Sequence, residues 1–202
     1  MRIKNQWFQS GKAKTPEQTA SAMAFITWRV VQNTLKQMRS AKFDIDVGPQ
    51  YFAVTREMLA FLLQVCDRLA FEYMGPNDRV SFVHALVVRV AEILQENEDS
   101  YLGSPPGNEA SHFDTFIDLY NEVAEHYADF GCDADGPDFA FVRYLGHRLE
   151  RLLPEKDRLW VIDQMMAAEV PQAVELVRRG LSGLLDTERQ RSRRRGAALA
   201  GE

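Results

Sequence analysis

The chain has 202 residues, of which 46% are hydrophobic and 26% charged, with a net charge of −5. Such a length and composition suit one domain with a sizeable core, and exclude a disulfide-stapled miniprotein or a chain too polar to fold. The charge is uneven, with eight basic and three acidic residues in 1–50 but two and ten in 101–150, which excludes a uniformly basic nucleic-acid binder.

Residues 1–14, MRIKNQWFQSGKAK, are polar and basic. They read as a flexible arm, and they lack the apolar run of a secretory signal. The first helix is marked by TPEQ. Thr15 is placed as N-cap, Pro16 at the first helical position and Gln18 at the capping-box position. Met23, Ile26, Val30, Val31, Leu35 and Met38 follow at helical spacing. Arg29, Lys36, Arg39 and Phe25 give the same helix an exposed basic face with one aromatic.

A second helix is predicted over Gln50–Met74 and a third over Asp78–Glu96. Both are apolar around most of their circumference, which predicts a central position for each. Residues 97–111, rich in Gly, Pro and Ser, read as a loop. A fourth helix follows Ser111 and ends at Gly131. GCDADGPD makes a turn into a fifth helix carrying Phe139, Val142, Leu145, Leu149 and Leu152. Pro154 and Pro171 each open a further short helix, with sharp corners between. The seventh carries an apolar stripe, Val174, Val177, Leu181, Leu184 and Leu185, suited to closing the bundle or to a dimer seam. The chain is thus all-α, an irregular bundle of about seven helices around two central ones. The domain spans residues 15–187, and 188–202 form a flexible arginine-rich tail.

The fourth helix, DTFIDLYNEVAEHYADF, offers the densest set of chemical groups. With Phe113 as origin, the apolar residues fall within about 80°, and Asp114, Asp118, Glu122, Glu125 and Asp129 lie at about 100–180°. The carboxylates therefore face away from the helix's own core, whereas a helical metal site needs them inward. Glu122 and His126 are four apart, an ion-pair spacing. The stripe reads as a solvated face able to meet a basic partner, and no metal is expected there. Asp133, Asp135, Gly136 and Asp138 resemble a calcium loop in composition, but the twelfth position is Tyr144 and the glycine is misplaced. Acidic capping of the fifth helix explains Asp135 and Asp138 better.

His84, among Val80, Val83, Val87 and Ala91, is predicted on the apolar face of the third helix. Cys66, in LLQVCDRLAF, is predicted inside the second. These two are the candidates for an interior ligand site, with Asp67, Glu72 and Tyr73 nearby in sequence. Neither supports a zinc or haem site by spacing, and no cofactor is expected. Arg189, Arg191, Arg193, Arg194 and Arg195 form a basic cluster that can hold phosphates or an acidic protein face.

No segment is apolar for the ~18 residues a membrane span requires, because Arg56, Glu57, Asp67, Arg79 and Arg89 interrupt the best candidates. Two cysteines suit a reduced, cytoplasmic protein. The sequence thus favours a non-enzymatic interaction, regulatory or assembly factor, whose partner is another protein or a second copy. A helical enzyme or cofactor binder using interior polar residues is the alternative. Peripheral binding to an anionic membrane or nucleic acid through the basic ends comes third.

Overall fold

The computed structural model describes residues 14–133 and 136–199, without the side chains from residue 187 onward. Helix α1 (Pro16–Ser40) begins as the sequence predicts. Thr15 Oγ1 accepts the Gln18 N–H at 3.3 Å, and Gln18 Oε1 accepts the Thr15 N–H at 3.2 Å. This reciprocal pair satisfies two donors that a helix start leaves open.

Helix α2 (Pro49–Tyr73) is the axis of the fold. Residues 57–66 are buried without interruption, which a helix achieves only when neighbours surround it. It touches α1, α3 (Pro76–Leu102), α4 (His112–Tyr127), α5 (Phe139–Glu150) and α7 (Val170–Leu199). An aromatic group fills the space between α2, α4 and α5. The Tyr127 and Phe141 rings stand 4.5 Å apart, and Phe61 meets Phe141 edge-on at 5.4 Å.

Helix α3 does not share the central role predicted for it. Its buried side is one stripe, Phe82, Leu86, Val87, Val90, Ala91, Ile93, Leu94 and Glu98. Val80 is exposed, and so is His84. Valine around the whole circumference suggests full burial, but packing selects the stripe centred between Phe82 and Ala91. His84 lies about 110° from that centre. The bundle therefore has one central helix.

The predicted loop 97–111 is also shorter. Helix α3 runs to Leu102, and Gly103, at φ +85°, turns the chain out. Asn97, Asp99 and Ser100 are weak helix formers, but burial of Glu98 among tertiary partners outweighs local propensity. Ser111 caps α4 as expected, accepting the Asp114 N–H at 3.0 Å.

The turn after α4 is a two-residue-per-strand antiparallel hairpin, β1 (Cys132–Asp133) and β2 (Gly136–Pro137). Asp138 locks it to α5. Its Oδ2 accepts the Gly131 N–H and its Oδ1 the Phe141 N–H, both at 2.8 Å. The capping role read for Asp138 is thus seen, whereas Asp135 lies outside the described residues. Helices α5 and α6 (Glu155–Gln164) approach closely at Gly146. A Cβ there would stand 2.9 Å from Ile162 Cγ1 and 3.3 Å from its Cα.

Seven separate helices are not what forms. Helix α6 continues through a π-helical turn, Met165–Glu169, into α7 without a break, giving six helical rods among the described residues. The Val170 N–H reaches the Met165 carbonyl, five residues back. Pro171 was expected to start a new helix after a corner. A wider turn just ahead of it relieves the clash between a proline ring and the carbonyl four residues earlier, so the helix persists. The backbone of α7 runs to Leu199. Of the predicted N-terminal arm, residues 1–14, all but Lys14 lies outside the described residues. So do the side chains of Arg189, Arg191, Arg193, Arg194 and Arg195.

Candidate functional site

Three ion-pair networks, buried to different degrees, hold α2 to its neighbours. Arg148 of α5 forks onto Glu57 of α2, with Nη2–Oε1 at 2.8 Å and Nε at 3.1 Å from both oxygens. Its Nη1 reaches Glu122 of α4 at 2.6 Å. Burial works against the Arg148 charge, and the Glu57 and Glu122 carboxylates outweigh it, holding the guanidinium above its ordinary value. Glu98 of α3, fully buried, lies 2.8 Å from Arg56 Nη2 of α2 and 3.1 Å from His112 Nδ1 at the start of α4. His112 Nε2 is 3.1 Å from the Gly103 carbonyl, closing the loop between α3 and α4. Arg79 of α3 grips Asp67 of α2 with two bonds, 2.7 and 2.6 Å, and covers the Phe71 ring. These pairs staple helices together and leave each cation engaged.

The sequence-predicted interior site does not assemble. Cys66 is sealed within the core, where Thr27 Oγ1 is its neighbour at 4.0 Å, and burial pushes its thiol up to about 12. His84 is exposed on the outer side of α3, and Glu72 is exposed at the end of α2. Asp67 is committed to Arg79. Among the described residues, no group of three or more His, Cys, Asp or Glu side chains could hold a metal ion. No helix among them is long and apolar enough to cross a membrane.

The Cys66 environment gives a measurable outcome. The folded state holds the thiol proton more tightly than the unfolded state, whose ordinary value is 9.0. The stabilisation is therefore complete below pH 9 and is lost as pH rises towards 12. Chemical denaturation will show lower stability at about pH 11 than at about pH 8, and Cys66→Ala will flatten part of that slope. Iodoacetamide will label half-buried Cys132 in the native protein before Cys66. A native Cys66 adduct would show that the core opens.

The acidic residues of α4 lie where the angular count puts them. Asp114, Asp118, Glu122 and Glu125 are all exposed. Glu122 is spoken for by Arg148, and Asp114 accepts a bond from the Ser111 hydroxyl at 2.7 Å. Asp118 and Glu125 remain as solvated charge. On the basic side, Gln32, Lys36, Arg39, Ser40 and Tyr51 line an open cleft of about 320 Å³.

Two features were not foreseen. The first is on α6, where Leu159 and Trp160 stand out from the surface, 79% and 65% exposed. The second is a cavity of about 330 Å³ between the hairpin, α5, the π turn and α7. The run of four apolar residues in EKDRLWVIDQ, longer than one buried helix face takes, was a legible signal for the first. Nothing in the sequence distinguishes the arginine of the second, Arg178, from a surface residue. No protein-family model, curated protein or solved structure matches the chain.

Proposed function

We propose that the chain is a non-enzymatic protein-interaction or assembly factor whose contact surface centres on Leu159 and Trp160. One observation carries this reading: two large apolar side chains, consecutive on α6, sit in water with charged neighbours Glu155, Lys156, Arg158 and Asp163 also exposed around them. Exposing both to solvent is unfavourable, by roughly 1.5–3 kcal/mol for a leucine-sized side chain, and a partner that covers them recovers this. An aromatic anchor ringed by polar residues is the arrangement in which a few side chains carry most of an interface's binding energy. The acidic face of α4 supports the same reading by favouring approach of a basic partner. The alternative of an interior ligand site on Cys66 and His84 has less support, since one is sealed and the other faces outward.

The test is affinity purification from the native cell, comparing wild type with Leu159→Ser/Trp160→Ser and with Asp118→Asn. The expected result is a partner, or a second copy of the chain, retained by wild type and Asp118→Asn and lost with the double variant. A wild-type chain that stays monomeric at high concentration, with no partner dependent on the pair, would overturn the reading.

A further inference from the structure

The cavity beside the hairpin has its own chemistry. Its walls are largely apolar, from Val142 of α5, Met166 of the π turn, and Val170 and Val174 of α7, with the exposed Phe139 ring beside them. Three charged residues also line it, Asp138, Glu175 and Arg178. Two of these are committed. Both Asp138 oxygens accept backbone N–H groups, and Glu175 accepts the Nε–H of Arg179. Arg178 is different. Its Nη2 is buried and has no hydrogen-bond partner among the described residues.

A buried donor without an acceptor is costly, and more so on a charged group. An acceptor oxygen brought into the cavity would remove that cost, and a turn about the terminal bonds of Arg178 presents its fork to such an oxygen. The backbone also comes close here. Gly136, at φ +120°, lies against Arg178, and a Cβ on it would stand 3.7 Å from Nη2. The π turn that contributes Met166 is a second irregularity at the same place. Single π turns inside α-helices are frequent where helices line functional sites.

We infer that this cavity binds a small carboxylic acid with a compact apolar body, its carboxylate on Arg178 and its apolar part against Val142, Met166, Val170 and Val174. The charge count selects a monoanion. Among the described residues, Arg178 is the cation that lines the cavity, and the Asp138 and Glu175 carboxylates repel a second negative charge. The volume is at the small end of ligand sites, so the acid is short. This site is separate from the Leu159–Trp160 surface and does not depend on it.

Titration of the full chain with hexanoate, hexanamide and phenyl phosphate, followed by methyl NMR, tests the assignment. Hexanoate will shift the Met166, Val170 and Val174 methyl signals saturably at millimolar concentration. Hexanamide, of the same shape without the charge, and phenyl phosphate, with a second charge, will bind at least tenfold more weakly. Arg178→Met, which keeps the stem and removes the guanidinium, will erase the preference for acid over amide. Equal binding of hexanoate and hexanamide to wild type would overturn the proposal, as would no saturable shift with hexanoate. So would an acid preference that survives in a folded Arg178→Met variant. If that variant does not fold, the comparison of acid with amide on wild type decides alone.

Discussion

Phe61→Ala will lower the stability of the fold by roughly 3–5 kcal/mol, the range for emptying a buried phenylalanine site. Phe61 is fully buried on the central helix, and its ring meets both Tyr127 of α4 and Phe141 of α5. Its removal empties a space bounded by three helices, none of which can collapse inward without drawing the others with it. Whole domains of this kind are stable by only about 5–15 kcal/mol, so the variant will be close to unfolding at ordinary temperature. Denaturant titration reads this as a large fall in midpoint at unchanged slope. Phe71→Ala is the contrasting change, since that ring is 70% exposed and lies under the Arg79 guanidinium. Its effect will stay below about 1 kcal/mol. Equal effects at the two positions would mean that α2 is not the axis of the core.

The second large effect is at Arg148. Arg148→Met leaves Glu57, 8% exposed, with its negative charge buried and unpaired. Breaking one side of a buried pair costs roughly 3–5 kcal/mol. The double change Arg148→Met/Glu57→Leu will recover most of this, because an apolar pair of similar size needs no compensation. A double-mutant cycle measured by denaturation will therefore show strong coupling, whereas Arg148→Met with Glu122→Gln will show weak coupling. Glu122 is more than half exposed, and water replaces its partner readily. Additive effects for Arg148 and Glu57 would show that the fork does not hold α5 to α2.

Much of the helical outline was legible because its signals are local. Thr15, Pro16 and Gln18 define a capping box whatever surrounds them, and the run from Met58 to Val65 has no polar side to turn outward except Gln64. Where the reading departed, tertiary contacts decided. The valines of α3 are equally apolar on both sides, and only the position of α1 and α2 determines that Phe82 and Val90 go inward while Val80 and His84 do not. Glu98 read as part of a polar loop because its partners, Arg56 and His112, are far from it or beyond a turn in sequence. The acidic face of α4 was recoverable from angles alone, since one helix's periodicity fixes it. The cavity at Arg178 was not, because it needs the hairpin, α5 and α7 to meet, and no single segment records that meeting.

The π turn has a bearing on how much the chain's length can vary. The buried apolar positions of α6 step by four, Val161 to Met165, and then by five to Val170, with the Glu169 side chain buried beside it, before resuming at Ala173, Val174, Val177 and Leu181. The wide turn absorbs the additional residue, so both helices keep their buried sides on the same core. A chain shortened by one residue between Met166 and Ala168 would close the turn to ordinary α-helical geometry and leave the inward face of α7 where it is. Elsewhere in these helices, loss of one residue rotates everything beyond it by about 100° and turns the core side outward. Residues 166–168 are thus a point of slack in an otherwise register-locked rod, and that slack borders the cavity at Arg178.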